Sequence, residues 1–236
     1  ILKLYIKILY IINIKMELKK KPAIYLFSGK PASGKSHCLK SIIHDFQKGS
    51  DPYFKFIICF VRTKFNHDYD YLPDEYVDDK YSDEKLLTHI EKLRTYRKKT
   101  NKPVPPNAII LDDLMSQVDF YSPEMSNWLA TYRHTNTSVF LTIQYMLNRT
   151  ASTALREMVS YSFLWNTKFK NSLKGYFEAF FQLYDSYDDF VRDFQRITKV
   201  KFQCVIYCAD IDELADNYIP YTAPADIPNF KLLYSI

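Results

Sequence analysis

The chain has 236 residues, of which 47% are hydrophobic and 25% are charged, and its formal net charge is +5. This composition excludes a disordered or collagen-like chain and predicts one α/β domain with a sizeable core, with or without an appendage. The mildly basic balance is compatible with a nucleic-acid partner but equally common in proteins without one.

The first fifteen residues, ILKLYIKILYIINIK, are apolar but are interrupted by three lysines. The longest uncharged run, residues 8–14, is far shorter than the roughly 20 residues that a membrane-spanning helix needs. Because Met16 opens a plausible start, we expect residues 1–15 to be a non-native or nonessential extension and residues 16–236 to form a single domain. The alternative for the extension is a helix on a membrane surface. No other segment reaches transmembrane length, so we expect no stable membrane insertion.

Apolar runs alternate with amphipathic stretches along the rest of the chain. Strands are predicted at 23–29, 53–63, 107–113, 138–145, 161–166 and 201–209. Helices are predicted at 36–46, 83–99, 122–135 and 152–160, and a longer helical region at 171–198. Because each strand is nearly all apolar, we expect an α/β fold with a mostly parallel central sheet covered by helices on both faces. Its core is expected at 23–166, with 167–236 as a C-terminal elaboration.

The stretch GKPASGKS, residues 29–36, matches the phosphate-binding pattern G-x-x-x-x-G-K-[ST] in full. Glycine permits the tight curvature by which backbone N–H groups wrap a phosphate, and the following helix directs its positive end at the anion. Lys35 is expected to reach the β- and γ-phosphates of ATP, and Ser36 to bind Mg²⁺. The pattern follows a predicted strand and opens a predicted helix, which is the context that such a loop requires. The expected nucleotide contacts are Gly29, Lys30, Pro31, Ala32, Ser33, Gly34, Lys35 and Ser36.

Two acids and an amide come directly after apolar runs, where ligands bind on parallel sheets. In IILDD, Asp112 comes directly after the apolar residues and is the candidate to hold Mg²⁺, usually through water. Asp113 is the candidate to orient or deprotonate the attacking water, although Glu is more usual there. Gln144 ends FLTIQ, which we expect to lie beside the strand of Asp112, so that its side chain contacts the γ-phosphate or the water. The alternative for the two acids is a turn that simply begins with Asp, and Asp113 has the further alternative of another role in the site. The alternative for Gln144 is a polar residue that ends a strand and has no role.

Charge that develops on the γ-phosphate during hydrolysis calls for a cation, often an arginine from a neighbouring subunit. Arg133 in TYRHTN and Arg156 in ALREM are the candidates, and the alternative for each is a solvated helix residue. A basic cluster near the end of the second predicted helix is compatible with contact to a phosphate backbone or with simple stabilisation by the helix dipole. Its members are Arg94, Arg97, Lys98, Lys99 and Lys102.

The four cysteines form no CxxC pair and have no histidine cluster beside them. That pattern predicts buried, reduced thiols rather than a metal or redox site. They are Cys38, Cys59, Cys204 and Cys208.

Residues 23–166 resemble the genome-packaging ATPases of large DNA viruses and virophages, within the FtsK–HerA superfamily of P-loop NTPases. The resemblance rests on the order of GKPASGKS, AIILDD, YRHTNTSVFLTIQY and ALREMVSYSFLWN. The run RHTNTSVFLTIQ is the most specific, because in that family an Arg-His pair precedes the strand that ends in the sensor Gln. Two features depart from the pattern: Asp113 stands where Glu is more usual, and the region after residue 170 carries no matching motif.

The resemblance implies a RecA-like P-loop fold of the additional-strand class and a homo-oligomeric ring around double-stranded DNA. ATP would bind with Mg²⁺ between subunits, and its hydrolysis would drive DNA into a preformed capsid. Capsid or portal-type proteins are the other implied partners, and the virus factory in the host cytoplasm and the virion are the implied locations.

Two other classes of protein stay open. A nucleotide or nucleoside kinase would use the same loop but needs an acceptor site and a lid, typically Arg-rich, which the Arg-poor stretch 66–82 fits poorly. A nucleotide-dependent switch with little turnover is the second, and the residue types at 113 and 144 argue against it.

Overall fold

The computed structural model describes residues 18–114, 117–146, 153–182, 184–209 and 218–232, so the expected extension, 1–15, lies outside the described residues. The strands, named in chain order, are β1 Ile24–Ser28, β2 Phe56–Val61, β3 Val77–Asp78, β4 Asn107–Asp112, β5 Thr137–Ile143, β6 Tyr161–Trp165, β7 Cys204–Cys208 and β8 Tyr218–Tyr221. The α-helices are α1 Lys35–Phe46, α2 Asp83–Thr100, α3 Pro123–Thr131, α4 Thr153–Met158, α5 Lys170–Phe180 and α6 Tyr187–Ile197.

These strands form one sheet in the order β3-β2-β4-β5-β1-β6-β7-β8. The pairings from β3 through to β6 are parallel, whereas β7 and β8 are antiparallel to their neighbours. β5 lies between β1 and β4, as expected for the P-loop class with an additional central strand. Because the parallel strands share a direction, they all end on one side, which we call the carboxyl end of the sheet. The opposite side is the amino end.

Apolar side chains form a separate core on each face of the sheet. On one face the ring of Tyr25 in β1 stacks on Phe140 in β5 and on Tyr161 in β6, with centroid distances of 4.5 and 5.0 Å. Helix α1 packs on this face through residues such as Leu39, and the four cysteines lie there, buried as predicted. Helices α2 to α6 contribute to the core on the other face. The prediction of a mostly parallel sheet covered on both faces is therefore confirmed.

Serine side chains cap the starts of α2, α3 and α6, but the start of α1 follows from a glycine. Ser122 caps α3, because its Oγ accepts a hydrogen bond from the backbone N–H of Met125, and Ser82 caps α2 in the same way. Helix α1 instead begins after Gly34, which has a left-handed φ of 98° and provides no side-chain cap. The first N–H groups of α1 are therefore the natural place for an anion to bind.

Four elements differ from the sequence prediction. The helix expected at 122–135 ends at Thr131 and continues as a 3₁₀ turn, Tyr132–Thr135, because Asn136 adopts a left-handed φ of 50°. The helical region expected at 171–198 is two helices, α5 and α6, and Ser186 caps the second. Neither β3, which has only two residues, nor β8 was predicted. Pro220 of β8 lacks an N–H donor, but in the described sheet β8 is an edge strand, where that loss is tolerated.

Candidate functional site

The phosphate loop, residues 29–36, connects β1 to α1 at the carboxyl end of the sheet. A Cβ atom added at Gly29 would lie 2.8 Å from Cβ of Trp165, so only glycine allows this close approach of the loop to β6. Like Gly34, Ala32 has a left-handed backbone, with φ 58°, although it carries a Cβ. Such strained backbone persists where the surrounding structure imposes it, and it is common at ligand sites.

The side chain of Lys35 folds back over this loop. Its Nζ donates to the carbonyl oxygens of Gly29 and Lys30 at 2.7 and 3.2 Å. Burial lowers the pKa of Lys35, and the negative charges of Asp112 and Asp113 oppose that shift. The ammonium group is thus held inside the loop, close to both acids, where it can pair with a bound phosphate.

Two hydroxyl groups and an exposed cation complete the loop. Ser33 is buried, and its Oγ has no hydrogen-bond partner among the residues that the structure describes. A buried hydroxyl of this kind is costly unless a ligand or water satisfies it. Ser36 lies half-buried in the first turn of α1, while Lys30 is exposed.

Asp112 ends β4 and lies at the carboxyl end of the sheet. The Oγ1 hydroxyl of Thr142 donates to its Oδ1 and also accepts from the backbone N–H of Asp113 at 3.0 Å. Burial raises the pKa of Asp112, and the charge of Asp113 adds to the shift, whereas hydrogen bonding from Thr142 and Tyr69 and the charge of Lys35 oppose it. The chain therefore holds a carboxylate here that is costly to ionise without a cation.

Asp113 faces Gln144 and Arg62, which follow the neighbouring strands. The Nε2 amide of Gln144 donates to both carboxylate oxygens of Asp113, at 2.9 and 2.8 Å. An Nη1 nitrogen of Arg62 lies 3.8 Å from Oδ2 of Asp113. Asp113 itself has a left-handed φ of 56°. The backbone and two side chains thus fix the direction of the carboxylate that was expected to activate water.

Sequence reasoning missed Arg62 and Tyr69. Arg62 comes directly after β2, so the rule that selected the strand-end polar residues of β4 and β5 also fits it. Tyr69 comes from the acidic loop between β2 and β3, where no periodic pattern exists. It is buried beside Asp112, and burial together with that negative charge raises its pKa well above the ordinary value. No sequence signal distinguishes Tyr69 from the other tyrosines of that loop.

Arg133 and Arg156 do not join this cluster. Arg133 lies in the 3₁₀ turn before β5, where its Nε donates to the hydroxyl of Tyr132 at 3.0 Å. Arg156 lies in α4, just before β6, and lines a surface cavity of about 700 Å³ with residues of α5, β7 and β8. Both segments lead into parallel strands, so both arginines lie at the amino end of the sheet, away from the phosphate loop of their own chain.

The strand order and the site together define the class of protein. A parallel sheet with a strand between the phosphate-loop strand and the acid-bearing strand is the arrangement of P-loop NTPases with an additional central strand. The phosphate loop, the acid that ends β4 and the amide that ends β5 occupy the positions this class uses for nucleotide hydrolysis.

Within this class, the family model described as Poxvirus A32 protein matches residues 14–172, and the chain belongs to that family. The match confirms the resemblance to viral packaging ATPases on which the sequence analysis relied. No curated protein sequence matches the chain.

Solved structures share the fold at low sequence identity. The genome packaging NTPase B204 of Sulfolobus turreted icosahedral virus 2, in complex with AMPPCP, has a TM-score of 0.62 and 14% identity, covering 88% of this chain and 100% of its own. The pCW3 conjugation coupling protein TcpA, bound to ATPγS, has a TM-score of 0.57 and 14% identity, and the match covers 90% of this chain and 61% of its own. The cytoplasmic domain of the Thermomonospora curvata type VII secretion ATPase EccC has a TM-score of 0.57 and 14% identity, and the match covers 92% of this chain and 28% of its own. These likenesses establish the P-loop NTPase fold.

Among the helices in the described ranges, none combines the length and the apolar character of a membrane span.

Proposed function

We propose that the protein is an ATPase motor that translocates double-stranded DNA into a viral capsid. One observation carries the hydrolytic part: β4 and β5 bring Asp112, Asp113 and Gln144 to the carboxyl end of the sheet, where both acids act electrostatically on Lys35 of the phosphate loop. The DNA-packaging part is supported by membership of the Poxvirus A32 protein family and by the shared fold with a viral genome packaging NTPase.

The residues divide the chemistry between them. The backbone of residues 29–36 and the start of α1 hold the β- and γ-phosphates, and Lys35 pairs with their charge. Asp113 orients or deprotonates the attacking water, and Gln144, which already donates to both oxygens of Asp113, holds that carboxylate and the water in line with the γ-phosphate.

Magnesium fits the donor set of this site. Ser36 and Asp112 offer a hydroxyl and a carboxylate, the hard oxygen ligands that Mg²⁺ prefers. No group of three or more His, Cys, Asp or Glu side chains that could hold a metal occurs within the described ranges. Mg²⁺ in NTPases is held by one or two protein oxygens, phosphates and water, so a larger protein cage is not needed. When bound, the ion neutralises charge on the β- and γ-phosphates.

The working assembly that we propose is a homo-oligomeric ring of residues 16–236 around duplex DNA, docked on a capsid or portal-type protein. The placement of Arg133 and Arg156 supports it: each lies at the amino end of the sheet and can serve only the phosphate loop of a neighbouring subunit. Arg133 is exposed, whereas Arg156 is half-buried, which favours Arg133. The proposed locations are the virus factory of the host cytoplasm and the virion.

The test is the rate of ATP hydrolysis with and without duplex DNA, alongside the mass of the protein in solution. We expect hydrolysis that requires Mg²⁺, rises several-fold with duplex DNA and accompanies a multimer. Phosphate transferred to an added nucleoside or nucleotide would identify a kinase instead, and nucleotide binding without turnover in any condition would identify a switch.

A further inference from the structure

An exposed aromatic ring lies against the phosphate loop, and none of the roles assigned above uses it. Phe202, in the turn that precedes β7, is 48% exposed although it is a large apolar side chain. A Cβ atom added at Gly34 would lie 3.3 Å from Cδ1 of Phe202 and 3.7 Å from its Cβ. The ring therefore packs directly beside the last glycine of the loop, just before α1 begins.

The protein holds this ring in place at some conformational cost. Phe202 has a left-handed φ of 67°, which is rare for a bulky side chain and is characteristic of positions that the surrounding structure imposes. The indole Nε1 of Trp165 donates to the carbonyl oxygen of Phe202 at 3.0 Å. Trp165 is buried and packs against Gly29 at the start of the loop. One tryptophan thus couples the position of Phe202 to the geometry of the phosphate loop.

The base of a nucleotide is a suitable partner for the exposed face of the Phe202 ring. Because the loop fixes the phosphates at the start of α1, the ribose and base must extend over the residues that border the loop. A flat aromatic face attracts any nucleobase by stacking, since every base has a π-face. Lys201 lies over the ring, with its Nζ 4.7 Å from the centroid, but an exposed cation–π contact is weak enough for a base to displace.

We propose that Phe202 is the base-stacking residue of the nucleotide site, placed there by the turn that precedes β7. This inference rests on the proposed nucleotide site and adds to it the part of the chain that receives the purine ring. Stacking adds affinity for the base but does not choose among bases, so Phe202 should strengthen binding of ATP and GTP alike.

The experiment compares the affinities of ATP and inorganic tripolyphosphate, measured by calorimetry with Mg²⁺, for wild type, Phe202→Ala and Phe202→Tyr. We expect Phe202→Ala to bind ATP about tenfold more weakly and tripolyphosphate as wild type does, because only the base contact is lost. Phe202→Tyr keeps the aromatic face and should bind ATP as wild type does. Val200→Ala is the matched control, since Val200 is 60% exposed in the same turn and should leave both affinities unchanged.

A second variant reports stacking directly. In Phe202→Trp, we expect ATP but not tripolyphosphate to quench the fluorescence of the new tryptophan, measured against the wild-type signal. Equal ATP affinity in wild type and Phe202→Ala would overturn the inference while leaving the nucleotide site intact. Equal losses of affinity for ATP and tripolyphosphate in Phe202→Ala would also overturn it, because the ring would then act by supporting the phosphate loop. Failure of wild-type protein to bind either ligand would refute the nucleotide site itself, and the inference with it.

Discussion

The two ends of the central sheet differ in how their charged side chains are arranged. At the carboxyl end, Lys35, Asp112 and Asp113 lie close enough to perturb one another, and hydrogen bonds from neighbouring strands hold the acids. At the amino end, Arg133 contacts its neighbour Tyr132 through a hydrogen bond and lies over the same ring, at 5.3 Å from the centroid. Among the residues that the structure describes, the converging groups of a catalytic site lie at the carboxyl end.

The distance between these ends supports the proposal that an arginine comes from a second subunit. β5 has seven residues, which span roughly 23 Å of extended chain. An arginine at the amino end cannot cover that length to reach its own phosphate loop. In the proposed ring, each chain would offer the receiving part of a site at one end and a candidate arginine at the other, so that subunits would join head to tail.

The strongest test of the carboxyl end is Lys35→Ala. Because Lys35 is the buried cation inside the loop, its loss should reduce ATP hydrolysis to background, a decrease of well over about 100-fold. Phosphate release at saturating Mg²⁺ and ATP measures it. Lys30→Ala is the matched control, since Lys30 lies in the same loop but is exposed. Undiminished turnover in purified Lys35→Ala would refute the assignment of the loop.

The amino end is tested by Arg133→Ala, with Arg156→Ala as the comparison. If Arg133 acts on a neighbour's γ-phosphate, its loss should lower kcat about 1,000-fold while ATP still binds. Mixing it with inactive Asp112→Ala should restore part of the rate, because the mixed interface pairs an intact acid with an intact arginine. The restored rate should peak at an intermediate mixing ratio. No rescue at any ratio, for either arginine, would remove both from catalysis.

Asp113→Asn should have the next largest effect. An amide keeps the size of the side chain but cannot accept the proton of water, so kcat should fall about 100-fold with ATP affinity unchanged. Steady-state kinetics together with a binding titration separate the two quantities. A parallel loss of ATP affinity would instead give Asp113 a role in holding the nucleotide.

The difference between the two ends also decides what the sequence could predict. The phosphate loop, Asp112 and Gln144 were predictable because a strand that ends in a polar residue fixes where that residue emerges, and the apolar runs located the strands. Arg62 follows the same rule, yet its partner Asp113 is 51 positions away along the chain and the pairing depends on strand order. Tyr69 and Phe202 come from irregular segments, whose paths are set by packing against the sheet rather than by a repeating pattern.

The raised pKa of Asp112 predicts a shift in pH dependence. A carboxyl whose pKa is raised takes up its proton at a higher pH than an ordinary Asp, so Mg²⁺-dependent binding of ATP should weaken early on acidification. Asp113→Asn removes a negative neighbour and should lower the pKa of Asp112, moving that loss to lower pH. Titrations of ATP with and without Mg²⁺, from about pH 7 to about pH 4, measure both midpoints. An unchanged midpoint in Asp113→Asn would contradict the coupling between the two acids.

The smallest expected effect is that of Arg62→Ala. The side chain of Arg62 is 59% exposed and lies 3.8 Å from the carboxylate of Asp113, longer than a hydrogen bond, so the ion pair is screened and weak. We expect kcat to fall about threefold and ATP affinity to stay the same. Arg62→Lys retains the charge and should keep most of the rate.

The decisive measurement for Arg62 is the double variant with Asp113→Asn. If Arg62 acts only by orienting the carboxylate of Asp113, removing it from a protein that already lacks that carboxylate should cost nothing further. The double variant should then have the kcat of Asp113→Asn alone. The coupling free energy between the two residues would then equal the whole effect of Arg62→Ala in the wild-type background. Additive losses would mean that Arg62, which already lies at the carboxyl end, contacts the nucleotide directly. A cation from the same chain would then weaken the case for an arginine from a second subunit.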